Sequence, residues 1–212
     1  MACKGDECTF ALRIEYYRLS LWVTRAMPRN YIIVNLLLAG MLGCLPVHAG
    51  DVMEVDVIHD SGVYTLSLEA WISSPVSKVH HMLTDYTHLE LVNPAVKKSY
   101  IIETYNPDYH RVHTLIEACV AFFCKSLIQV WDVEHYSDHI IVATIVPELS
   151  NFRSGNANWV LREGSGGTRL RFTTQLEPSF WVPPLIGPWL IRYKLRKEVI
   201  ESVNNLERLG SP

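Results

Sequence analysis

The chain has 212 residues, 49% of them hydrophobic and 19% charged, with a formal net charge of −3. That length suits one domain with a real core, and the apolar content excludes an intrinsically disordered chain. No strongly basic block runs through it, which argues against nucleic acid as the main partner, because duplex binding rests on clustered Lys and Arg.

Residues 1–49 are expected to form a leader rather than part of the fold. "MPRNYIIVNLLLAGMLGCLPVHAGD" has a positive start at Arg29, an apolar run from Tyr31 to Val47, and Val47-His48-Ala49 ahead of Gly50. The pattern is that of a cleavable signal peptide cut after Ala49, with translation beginning at Met27. A membrane anchor is the competing reading. The run is about 17 residues long, the low limit for a span, and Gly40, Gly43 and Pro46 interrupt it. Acylation at Cys44 is a third option, poorly matched by the preceding Met41-Leu42-Gly43. The signal-peptide reading implies export, with the bacterial periplasm as the destination.

Residues 50–212 then make a single domain. "VMEVDVIHDSGVYTLSLEAWI" holds two alternating runs broken at Asp60-Ser61-Gly62, and Tyr64, Leu66, Leu68, Ala70 and Ile72 share one face of the second. Ser74 is expected to cap a helix with Pro75 at its first position, because Val76, Val79, Met82 and Leu83 follow at helical spacing. A second short helix over 87–91 ends before Asn93-Pro94.

Six strands follow, near 96–104, 110–120, 124–135, 139–147, 155–163 and 168–177. Alternation turns Val112, Thr114, Ile116 and Ala118 inward, then Gln129, Trp131 and Val133, then Ala157, Trp159 and Leu161, then Leu170, Phe172, Thr174 and Leu176. Arg111, His113, Glu117, Asp132, Glu134, Arg169 and Arg171 fall on the other face, so one side of the meander is dry and one wet.

Cys119 and Cys124 sit in "IEACVAFFCKSL". The other three cysteines (Cys3, Cys8, Cys44) precede the expected cleavage. A four-residue loop, Val120 to Phe123, would set Cys119 opposite Cys124, as a cross-strand disulfide in an exported chain requires. Two buried thiols and a two-ligand metal site are the alternatives.

The last element is a helix from about Pro184 to Leu209. Ile191, Leu195, Val199, Val203 and Leu206 form its apolar stripe, widened by Trp189, Tyr193 and Ile200. Glu198, Glu201, Asn204, Glu207 and Arg208 cover the opposite side. The element order is thus strand, two short helices, six strands and one long helix. Laying that helix across the dry face buries both.

Over about residues 52–209 the chain resembles the SRPBCC superfamily (START/Bet v 1-like, polyketide-cyclase and lipid-transport type). The resemblance rests on the element order, on "AWISSPVSKVHHMLTDYTHLELVNPAV" with its Pro-initiated helix and Asp-Tyr turn, and on "SGNANWVLREGSGGTRLRFTTQLEP" as the last hairpin. It implies an α+β helix-grip fold: a curved seven-stranded antiparallel sheet wrapped around a long C-terminal helix, two short helices after the first strand, and a deep apolar cavity. Such domains bind lipids, sterols, quinones or polyketides, and only some are enzymes.

On that expectation the ligand-binding residues are Tyr86, Thr114, Gln129, Trp131, Trp159, Phe172, Thr174, Trp189 and Tyr193. The greasy stretch "FWVPPLIGPWLIRYKLRK", residues 180–197, then lies near the cavity mouth. Pro183, Pro184 and Pro188 with Gly187 break regular helix. Trp181, Leu185 and Ile186, flanked by Arg192 and Lys194, make the mixture favoured where apolar surface meets anionic headgroups. A gate that touches membrane is one reading; core tryptophans beside a solvated basic face is the other.

Catalytic signatures are not found. His80 and His81 are adjacent on a helix and cannot converge on one ion, and the nine histidines read as scattered, so no metal or other cofactor is expected. There is no phosphate-binding glycine loop and no nucleophile elbow. Of the polar groups expected to reach the cavity, Tyr86, Thr114, Gln129 and Thr174, none is an obvious base. The expectation is therefore an exported, monomeric carrier of a hydrophobic ligand, lipid, sterol or quinone-like, that makes transient membrane contact. A polyketide cyclase or aromatase using the same cavity is the alternative, and a cytosolic interaction module is excluded if the leader is genuine.

Overall fold

A computed structural model describes residues 51–120 and 123–211. The expected leader and its expected cleavage site, with Met27 and Cys44, lie outside the described residues. Strand β1 (Asp51–Asp60) and strand β2 (Val63–Ile72) form a hairpin. Both turn residues have positive φ, Ser61 at 49° and Gly62 at 89°, the backbone that matches the twist of two-residue hairpins. Helix α1 (Val76–Thr84) and the single turn α2 (Leu89–Val92) follow. The meander is β3 (Val96–Asn106), β4 (Tyr109–Val120), β5 (Phe123–Ser137), β6 (Ile140–Ile145), β7 (Phe152–Gly164) and β8 (Gly167–Pro178), with a 3-10 turn at Pro147–Leu149. Helix α3 spans Gly187–Gly210. Among the described residues no helix is long and apolar enough to cross a membrane.

The sheet has eight strands in the order β1-β2-β8-β7-β6-β5-β4-β3 and does not close. Seven were expected. The eighth arises because both alternating runs before α1 pair antiparallel, with β2 rather than β1 against β8. Two further corrections concern helix ends. Pro75, not Ser74, is the N-cap of α1, and no side chain caps it, because Ser74 Oγ donates elsewhere. Helix α3 starts at Gly187 rather than Pro184, since Pro183 and Pro184 hold the preceding chain out of helical geometry until Gly187 N–H donates to the Pro183 carbonyl at 2.8 Å.

Pairing between β4 and β5 runs without interruption from Tyr109–Glu134 to Val120–Phe123, two residues further than a four-residue loop allows. Cys119 and Cys124 are direct register partners, their sulfurs at a bonding distance of 2.04 Å.

Packing divides the interior. At one end Val199, Val203 and Leu206 of α3 meet Leu66, Leu68, Ala70 and Ile72 of β2 and Val76 and Val79 of α1. Farther along the sheet, Tyr86, Val112, Val133, Ile141, Ala143 and Ala157 form a second cluster. Leu127, Ile145 and Phe152, backed by Phe180, form a third.

The C-terminal end of α3 is tied down by polar contacts. Ser73 N–H donates to Glu207 Oε2 at 2.7 Å, and Ser74 Oγ and Lys78 Nζ both donate to the Gly210 carbonyl at 2.9 Å. Thr168 Oγ1 donates to the Ser74 carbonyl at 2.6 Å, and Asn205 Nδ2 to the Val92 carbonyl at 3.0 Å. A Cβ at position 210 would run into Ser74 Oγ, so the close approach requires glycine. The lysine also supplies positive charge where the helix dipole favours it. Glu207, expected on the solvated face, is 2% exposed at this latch.

Candidate functional site

Between α3 and the concave face of the sheet lies a cavity of about 390 Å³. Cross-strand register builds its wall. Thr114 faces Gln129, Val112 faces Trp131, Ala157 faces Thr174 and Trp159 faces Phe172. Because side chains alternate along each strand, one correct register turns the whole set to the same side.

Seven of the nine expected lining residues border this cavity: Tyr86, Thr114, Gln129, Trp131, Trp159, Phe172 and Thr174. Their polar atoms are partly spent on one another. Thr174 Oγ1 donates to the Asn156 carbonyl at 2.7 Å, Thr114 Oγ1 to the Gln129 carbonyl at 3.3 Å, and Trp131 Nε1 to Gln129 Oε1 at 3.4 Å. Trp159 and Phe172 lie with ring centroids 4.8 Å apart.

Trp189 and Tyr193 are outside the lining. Both are exposed, and their rings stack on one another at 6.0 Å. With α3 beginning at Gly187, positions 190, 191, 194 and 195 turn inward and 189 and 193 turn out. Trp181, Pro184, Leu185, Ile186 and Arg192 are exposed and Pro183 half-buried. From the 180–190 stretch, Phe180 and Leu190 reach the cavity, and Lys125 Nζ stands 3.9 Å over the Phe180 ring.

Two features escaped the sequence. The first is Lys194 and Glu198, assigned above to the membrane-facing and solvated sides of the helix. Both line the cavity, with Lys194 Nζ 3.0 Å from Glu198 Oε1. Burial pushes the Glu198 carboxyl above its ordinary range, opposed by the Lys194 charge. The four-residue spacing of Leu190, Lys194, Glu198 and Ser202, beside Ile191 and Leu195, is the signal that could have found it.

The second is a cluster behind Tyr86. Three histidines that read as scattered converge: His80 from α1, His110 from the start of β4 and His135 from the end of β5. His135 lies 5.4 Å from His80 and 5.7 Å from His110, ring centroid to centroid, and its Nε2 is 2.5 Å from Tyr86 Oη. Only folding brings these elements together, so no spacing rule reports it. Burial raises the Tyr86 phenol well above its ordinary value. It also lowers the basicity of His80 and His135, aided for His135 by its histidine neighbours. Among the described residues no group of three or more His, Cys, Asp or Glu is placed to hold a metal ion.

A histidine with depressed basicity binds fewer protons folded than unfolded. The stability present above its ordinary pKa of about 6.5 is therefore lost as pH falls towards the folded-state value. Glu198 acts in the opposite sense, since a raised carboxyl favours the fold as pH falls. The melting temperature is expected to drop between about pH 7.5 and about pH 5.5, and to drop less in the double variant His80→Asn/His135→Asn. Parallel profiles for the two proteins would contradict this account.

No protein-family model matches the sequence, nor does any curated protein. Solved structures do match. A START superfamily protein from Mycobacterium smegmatis is 16% identical, with 69% of this chain and 96% of that one covered at a TM-score of 0.55. The Zhui aromatase/cyclase from Streptomyces sp. R1128 is 13% identical, with 70% and 93% covered at 0.57. A fragment of a STAR-related lipid transfer protein from Xanthomonas axonopodis is 13% identical, with 74% and 99% covered at 0.56. At these identities the likeness defines fold and nothing finer. The chain has the SRPBCC/START-like fold, a helix-grip arrangement with an added strand at one rim.

Proposed function

We propose that this chain is an exported, non-enzymatic carrier that holds a lipid-like ligand in the cavity and exchanges it at a membrane through residues 180–190. The observation that carries the reading is the cavity itself, walled by apolar side chains from seven strands and three helices. Burying an acyl chain there contributes about 0.8 kcal/mol per methylene, so affinity needs few polar contacts. Similar folds named for lipid transfer make the same use of such a space plausible.

Export draws support from the leader pattern and from the Cys119–Cys124 pair, since a disulfide persists in an oxidising compartment. Membrane contact draws support from the contiguous exposure of Trp181, Leu185, Ile186 and Trp189 beside Arg192.

Native mass spectrometry of the protein purified from its own periplasm tests the reading. A lipid-sized adduct released on denaturation is expected, with a mass gain on reduction of the Cys119–Cys124 bond. A ligand-free mass from every preparation would sink the carrier reading.

A second reading, a cyclase or aromatase, gains from Glu198, because it supplies the inward titratable carboxyl that such chemistry needs. Turnover of a poly-β-ketone thioester that is lost in Glu198→Gln would favour it over carriage.

A further inference from the structure

Helix α3 presents positions 190, 191, 194, 195, 198, 199, 202, 203 and 206 to the cavity. Lys194, Glu198 and Ser202 are the polar members, and at intervals of four they form one line along the helix. Ser202 Oγ is committed, donating to the Glu198 carbonyl at 2.9 Å. Glu198 Oε1 is closed off from solvent, and beside its ion pair with the Lys194 ammonium at 3.0 Å it makes no hydrogen bond among the described residues. Tyr64 Oη, from a second residue that lines the cavity, is buried without a partner among them. Buried polar atoms are nearly always satisfied, and leaving them unpaired is costly, so an orphaned phenol and a carboxylate oxygen with a single ionic neighbour on one apolar cavity point to the missing partner being the ligand.

We propose that the Lys194–Glu198 pair is a polar seat within the cavity that selects apolar ligands carrying a neutral hydroxyl headgroup, of the fatty-alcohol or acylglycerol class. This rests on the carrier reading above. A hydroxyl donates to Glu198 Oε1, while its own lone pairs face the Lys194 ammonium. The pair is neutral overall, so it offers no net attraction to a charged headgroup. An anionic headgroup meets the Glu198 carboxylate at close range, and its counter-charge is already engaged. Lys125 also borders the cavity, but it is exposed and its ammonium sits over the Phe180 ring.

The test uses the full-chain protein loaded with the fluorescent probe N-phenyl-1-naphthylamine and displaced by dodecanol, dodecane or dodecanoate. These ligands share chain length and differ only at the head. In Glu198→Leu the affinity for dodecanol relative to dodecane is expected to fall by about tenfold or more, the loss of one hydrogen bond to a charged group. The ratio is taken within each variant, so a general change in binding cancels. In Glu198→Gln, which keeps an amide oxygen acceptor and removes the like charge, dodecanoate is expected to gain several-fold on dodecanol. That gain cannot be mimicked by misfolding. Ratios unchanged within about twofold in both variants would overturn the seat and leave the carrier standing. Failure of the wild type to bind the probe or any of the three ligands would overturn the carrier, and the seat with it.

Discussion

Replacing Trp181, Leu185 and Trp189 together with alanine is expected to weaken binding to phosphatidylglycerol-containing vesicles by at least about a hundredfold. These side chains are 78%, 94% and 60% exposed, so removing them takes little from the folded core. Full burial of one large apolar side chain contributes about 1.5–3 kcal/mol. Partial insertion of three gives about 3 kcal/mol, and each 1.4 kcal/mol is a factor of ten.

The electrostatic share is smaller. Lys194 is turned into the cavity, Arg196 donates to the Val55 carbonyl at 3.0 Å, and Lys197 stands 3.6 Å from Glu201. Arg192 is the freely exposed basic group on this turn, worth about 1 kcal/mol at an anionic surface and screened by salt. Raising ionic strength should therefore weaken binding several-fold at most, whereas the triple variant should nearly abolish it. Vesicle cosedimentation reads both, with Tyr136→Ala as the control, because Tyr136 is 63% exposed on β5. A triple variant that sediments like the wild type would remove residues 180–190 from any role at the membrane.

Glu207→Leu is expected to lower unfolding stability by about 2–4 kcal/mol. The carboxylate is almost wholly buried and accepts the Ser73 N–H, which loses that acceptor in the variant. A hydrogen bond to a charged group contributes about 1.5–3 kcal/mol, and the stranded N–H adds its own desolvation penalty. Glu207→Gln keeps the acceptor and should lose about half as much. Urea unfolding distinguishes them, with the midpoint shifting at constant slope. A leucine variant as stable as the wild type would mean the latch at the end of α3 holds nothing.

The strands and the lining are legible because a period-two pattern reports them directly: with Thr114 inward, Val112 and Ile116 follow. The extra strand was legible as a run of residues but not as a sheet member. Nothing in "VMEVDVIHD" says whether it pairs with β8 or with β2, which depends on where the chain emerges from the turn at Ser61-Gly62.

Helix faces were harder. A stripe read from Ile191, Leu195 and Val199 is right in phase, yet the cavity is wider than the stripe, so Lys194 and Glu198 at its margin turn inward with it. Glu207 carries a charge and so reads as solvated, while its partner, the Ser73 N–H, is 134 residues away in the chain. The histidine cluster has the same origin, with members contributed by three separate elements.

A sheet that stops short of closing leaves two rims, β1 and β3, each with an outer edge that no other described strand pairs. A long flat rim of that kind recruits strands from other molecules and seeds fibres. Here the two rims are blunted by different means. Asp51, Glu54, Asp56 and Asp60 all stand exposed on β1, so two copies brought rim to rim repel one another. Lys97, Lys98 and Glu103 mark β3, and its pairing with β4 slips at three points, so its outer edge puckers and offers no straight ladder to the acidic rim of a neighbour. Acidic charge along one rim and broken register along the other thus both work against rim-to-rim polymerisation.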